Sequence, residues 1–64
     1  MTMIFFDEKK NIIRYINGNF YPRPFVGDFI FIERKIYKVL NTTVDYDDNQ
    51  LLIIVEPCKR DIFK

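Results

Sequence analysis

Any chemistry in this chain must come from carboxylates, basic side chains and one thiol, because its 64 residues include no histidine and a single cysteine, Cys58. The densest cluster is Asp45-Tyr46-Asp47-Asp48-Asn49-Gln50, with Glu56 further on. Asp45, Asp47, Asn49 and Glu56 are spaced like the first, third, fifth and twelfth positions of a calcium loop, where oxygens and a bidentate glutamate surround the ion. The match stops at Gln50, which stands where such a loop needs glycine. The run after it, Leu51-Leu52-Ile53-Ile54-Val55, reads as a strand, and no helices flank the loop. A solvated hairpin turn accounts for the same residues, since Asp and Asn favour turns.

Cys58 lies beside Lys59 and Arg60, which favour the thiolate. With no second thiol and no histidine there is no disulfide, no Cys/His zinc site and no ordinary Ser–His or Cys–His pair. Gly18 and Gly27 stand alone, so no glycine-rich loop cradles phosphate. A chain this short hardly encloses a cleft of about 300 Å³. The expectation is a non-enzymatic protein with no cofactor and no metal.

The length allows one domain, residues 1–64. Such a domain buries only about 60% of its unfolded surface, and small domains commonly gain stability from disulfides, metals or a partner subunit. Here the partner is the remaining aid. The composition is globular: 48% hydrophobic and 30% charged, with seven Phe and four Tyr, far from that of a disordered chain. Ten basic and nine acidic residues give a net charge of +1, which argues against a dedicated non-specific nucleic-acid binder. The opening MTMIFFDEKK has an apolar run too short for a signal-peptide core or a membrane span. With a lone cysteine, this predicts a reducing, intracellular (cytoplasmic) setting.

The elements that would position these residues are short and β-rich. Strands are predicted at 3–6, 28–33, 36–46 and 51–56, the third bent or bulged near Asn41-Thr42. Tight turns are expected at Arg34-Lys35 and 47–50, with Pro57 ending the last strand. Residues 11–16 (NIIRYI) precede Asn17-Gly18, a preferred filling for a type I′ hairpin turn, and 19–21 would be the returning strand. A short helix over 8–16 is the rival reading: Asp7 would cap its start, Ile12, Ile13 and Ile16 would share a face, and Asn17 or Gly18 would cap its end. The expected fold is therefore mainly β, a small antiparallel barrel or meander, with the N-terminal hairpin or helix left open.

The pattern Gly27-Asp28-Phe29-Ile30-Phe31-Ile32, then Ile36-Tyr37-Lys38-Val39, then Leu51 to Val55, resembles the second half of small SH3-like β-barrel proteins, many of them carried by bacteriophages and mobile elements. It covers about half of the chain. The resemblance implies an SH3-like barrel and, for function, an accessory or host-modifying factor that acts by contact.

Phe29 to Ile32 is apolar at every position, whereas a half-buried strand alternates. If Ile30, Ile32, Tyr37, Val39, Leu51, Ile53 and Val55 face inward, Phe29, Phe31, Leu52 and Ile54 face outward. A slip of one residue would exchange the two sets. The outward set needs a cover: the N-terminal segment, a second copy of the chain, or another protein. Tyr21, Arg23 and Phe25 precede this strand on a loop stiffened by Pro22 and Pro24, and aromatic and Arg side chains are favoured interface anchors.

The leading expectation is a protein-binding module, able also to pair with itself. Its contact residues are Tyr21, Arg23, Phe25, Phe29 and Phe31, with Asp45, Asp47 and Asp48 presenting carboxylates where phosphate would bind on a nucleic-acid enzyme. Occlusion of a partner's site is the corresponding mechanism. One alternative is a nucleic-acid-binding barrel: residues 1–38 carry seven basic and four acidic residues, Arg14, Arg23, Arg34, Lys35 and Lys38 would form one basic edge, and Tyr15, Phe20, Tyr21 and Phe25 would stack bases. Another is a self-associating structural subunit.

Overall fold

The computed structural model describes residues 1–17 and 22–58. They form five strands: β1 Thr2–Phe6, β2 Ile12–Asn17, β3 Phe29–Ile32, β4 Lys35–Asp45 and β5 Gln50–Pro57. One sheet contains all five in the order β2-β1-β5-β4-β3, and it curls into a half-barrel. The described residues include no helix. Residues 12–17 are thus a strand rather than a helix, and it forms a hairpin with β1 through the turn at 7–11. Asp7 Oδ1 accepts the N–H groups of Lys9 and Asn11, each at 2.9 Å, and Lys10 adopts a φ of 67°. That conformation stops helical propagation, and the β-branched Ile12 and Ile13 continue as strand. Gly18 and the strand expected at 19–21 lie outside the described residues.

The fold is mainly β, as expected, but the sheet is mixed rather than wholly antiparallel. β1 runs parallel to β5, from Thr2 beside Gln50 to Phe6 beside Ile54, while every other pairing is antiparallel. The register sets Met3 beside Leu51 and Phe5 beside Ile53, so side chains from both strands enter the same core. Strand direction at such a junction depends on the path of the connecting chain, which no local pattern encodes.

The turns follow the backbone demands of tight hairpins. Glu33 and Arg34 both have positive φ, 52° and 66°, and connect β3 to β4 one residue earlier than expected. β4 slips register against β5 between Val39 and Asn41, which is the bulge anticipated near Asn41-Thr42. The buried core is Met3, Phe5, Ile32, Tyr37, Val39, Leu51, Ile53 and Val55, with Ile30 half-buried against it. Of the two sets that alternation separates, the one with Ile32, Tyr37, Val39, Leu51, Ile53 and Val55 is therefore the core. The N-terminal hairpin does not lie over the outward set; it joins the sheet side by side through β1 and extends it.

Candidate functional site

The loop from Pro22 to Asp28 links the two halves of the sequence, and its own residues hold its shape. Phe25 O accepts the Asp28 N–H at 3.0 Å, closing a four-residue turn, and Gly27 in its third position has a φ of 94°. That is the geometry of a type II turn, which needs a residue tolerant of positive φ there. Asp28 Oδ2 accepts the Phe25 N–H at 2.8 Å across the same turn. The turn is fastened to β4, because Gly27 N–H donates to Val39 O and Val39 N–H donates to Asp28 O, both at 2.9 Å. Asp28 is thus a structural carboxylate.

One apolar anchor precedes this turn. Pro24 is buried, while Pro22 and Arg23 on its chain neighbours' side are exposed. Together with Met3, Phe5, Ile16, Ile30, Phe31 and Ile32, these loop residues line a cavity of about 280 Å³. Pro24 therefore acts as a plug from the loop into the core. Sequence reading treated it only as a stiffener of Arg23; a proline's burial leaves no periodic signal.

Beyond the plug, apolar side chains point to solvent. Phe25 is 65% exposed, Val26 63%, Phe29 52% and Phe31 60%. Phe29 and Phe31 alternate with the inward Ile30 and Ile32 on β3, an edge strand of the sheet. The Arg23 guanidinium carbon lies 6.0 Å from the centre of the Phe25 ring, within cation–π range. Of the expected contact residues, Arg23, Phe25, Phe29 and Phe31 thus fall on one stretch of loop and edge strand. Tyr21 lies outside the described residues. Val26 was missed, and its exposure follows from its place in the second position of the turn, which points away from the sheet.

The acidic turn does not join this surface. Asp45 Oδ1 accepts the N–H groups of Asp47 at 3.1 Å and Asp48 at 3.3 Å, so Asp45 folds its own turn. Asp47 and Asp48 are exposed. Phe29 pairs with Lys38, and Asp45 lies seven residues further along β4, so the two surfaces are on the order of 20 Å apart at strand spacing. Glu56 pairs with Lys38 and stands at the other end of the β4–β5 hairpin from Asp45. The calcium-loop spacing therefore does not converge in space, and no cluster of three or more metal-ligating side chains occurs among the described residues. Cys58 is half-buried and its N–H donates to Ile36 O at 2.8 Å.

The five basic residues of the nucleic-acid alternative are dispersed. Arg14 is on β2 at one edge of the sheet, Arg34, Lys35 and Lys38 are at the β3–β4 turn and on β4 toward the other, and Arg23 is on the loop. Tyr15 is exposed on β2; Phe20 lies outside the described residues. Among the described residues no helix is long and apolar enough to cross a membrane. No family model, curated protein or solved structure matches the chain.

Proposed function

We propose that the protein is a non-catalytic protein-binding module whose contact surface is Phe25, Val26, Phe29 and Phe31 with Arg23. The observation that carries this reading is the exposure of four large apolar side chains within seven residues of loop and edge strand. Scattered surface apolar residues need no explanation, but a contiguous group of this kind is characteristic of an interaction site. The loop is held by hydrogen bonds at both ends of its turn and by Pro24, so the surface is pre-organised and loses little entropy on binding.

The magnitudes favour a contact that uses more than apolar area. Three Phe side chains, each about half exposed, would contribute roughly 2–5 kcal/mol on full burial. Association costs about 4–15 kcal/mol, so the aromatic group alone supports only weak, transient binding. Arg23 supplies the polar anchor, and it stacks near Phe25 without a carboxylate partner among the described residues. The proposed mechanism is occlusion: a rigid aromatic and cationic surface covers a site on a larger protein. The acidic turn is not part of that contact, because it lies at the far end of β4.

The test compares the wild-type chain with Phe29→Lys and with the Asp47→Asn/Asp48→Asn pair as immobilised baits. A partner retained by the wild type and the acidic-turn variant but lost on Phe29→Lys is the expected result. Identical retention by all three contradicts the assignment.

A further inference from the structure

A second apolar surface lies on the outer face of the sheet, away from the loop. The strand registers set two rows across four strands: Tyr15, Ile4, Leu52 and Thr43 in one, Ile12, Phe6, Ile54 and Asn41 in the next. A groove of about 200 Å³ lies among Phe6, Lys10, Thr43, Leu52 and Ile54. Tyr15 and Ile12 are 56% and 49% exposed at its β2 side. Ile4 is buried within the chain itself and Phe6, Leu52 and Ile54 are half-buried, so what this face leaves open is the groove and the exposed Tyr15 and Ile12.

We infer that a second copy of the chain covers it, outer face to outer face, about a two-fold axis that crosses the strands at the level of Ile53. The face is its own complement about that level. Leu52 and Ile54 are one residue to either side of Ile53 on β5, and Gln50 and Glu56 are three residues to either side. On β4, Gln50 is paired with Asp45 and Glu56 with Lys38. Rotation about this axis therefore lays each apolar row on the other row of the partner copy. It also brings Asp45 of one copy toward Lys38 of the other, twice, and Gln50 toward Glu56.

The charges are disposed for this. Asp45 uses Oδ1 to fold its turn, and among the described residues no hydrogen bond takes its Oδ2. Lys38 is exposed. Isologous pairing of this kind is the commonest symmetry of soluble dimers, because one surface must complement only itself. A standard interface of ~800 Å² per partner would take about one-sixth of the 5131 Å² surface. The contact centres on β5, the middle strand of the sheet, and leaves Phe25 and Val26 clear. The two surfaces adjoin where Phe29 pairs with Lys38, so Phe25, on the loop, is the position that separates them.

The experiment is sedimentation equilibrium of the full chain over a wide concentration range at low salt, with four variants. The wild type is expected at twice the 7.8 kDa chain mass. Ile54→Lys is expected at the single-chain mass, and Phe25→Lys, on the loop that the contact leaves clear, is expected to remain dimeric. Lys38→Glu, which sets a second carboxylate opposite Glu56 and is therefore first checked for an unchanged circular dichroism spectrum, is expected to weaken association at least tenfold. Adding Asp45→Asn to Lys38→Glu, which keeps the turn-forming oxygen and removes the repulsion, is expected to recover part of that loss. A wild-type chain at single mass throughout overturns the inference. So does a dimer indifferent to Lys38→Glu, or one lost on Phe25→Lys instead.

Discussion

Three carboxylates in this chain perform the same local task. Asp7 accepts N–H groups of Lys9 and Asn11, Asp28 accepts the Phe25 N–H, and Asp45 accepts N–H groups of Asp47 and Asp48. Each holds a turn that joins or precedes a strand, which explains the acidic punctuation of the sequence without invoking a reaction. For Asp7 this has a pH consequence. The Asn11 backbone N–H, with further help from the Asn11 side chain and the Lys9 N–H and charge, outweighs desolvation and holds its carboxyl below the ordinary value of 3.8. A lowered folded pKa means that the ionised form stabilises the fold above the ordinary value, and that this contribution fades as pH falls through the folded value. The stability advantage of the wild type over Asp7→Asn, read from urea unfolding, is therefore expected to be constant near neutrality and to shrink below about pH 4. A gap that does not narrow in acid contradicts the assignment. At the same scale, Phe29→Lys is expected to change stability by no more than ~0.5 kcal/mol, as for an exposed position, while weakening partner binding at least tenfold. Thermal unfolding and a binding titration of the same variant separate the two effects.

Among the elements, the β3–β4 turn carries avoidable strain. Glu33 and Arg34 are both held at positive φ, where Asn and Gly are at ease. Replacing the pair by Asn-Gly is expected to raise the unfolding free energy by about 0.5–1 kcal/mol in denaturant titration. The reverse holds at Gly27. An added Cβ meets nothing within 4 Å, yet its φ of 94° disfavours any L side chain, so Gly27→Ala is expected to cost about 1–2 kcal/mol through backbone strain alone. These elements also show what a sequence can convey. The division of Ile30, Ile32, Tyr37, Val39, Leu51, Ile53 and Val55 from Phe29, Phe31, Leu52 and Ile54 was legible because alternation is a property of the strand itself, but which set faces inward was not, since a slip of one residue exchanges them. So was the bulge in β4, marked by polar residues in an apolar run. The strand reading of 11–16 and its helical rival were both open, since three isoleucines fit either period; the side-chain cap of Asp7 decided between them. The parallel union of β1 and β5 was not legible, because pairing partners distant in sequence leave no local trace. Nor was the burial of Pro24, or the separation of the acidic turn from the aromatic surface, for the same reason.

At the scale of the molecule, one small core supports everything else. Ile53 and Val55 are fully enclosed, at 0% exposure. Ile53→Ala is expected to cost about 2–5 kcal/mol, against a total stability of roughly 3–5 kcal/mol for a core of this size, and so to leave much of the chain unfolded by circular dichroism. A fold this marginal does not keep exposed aromatic residues for stability's sake, which is why the Phe25, Phe29 and Phe31 surface is read as a place of contact. The most direct check is amide hydrogen exchange of the chain alone and with a captured partner. Protection confined to the 25–32 loop and strand, with the 45–49 turn unchanged, is the predicted result. Protection centred on the acidic turn, with 25–32 exchanging as in the chain alone, would contradict it.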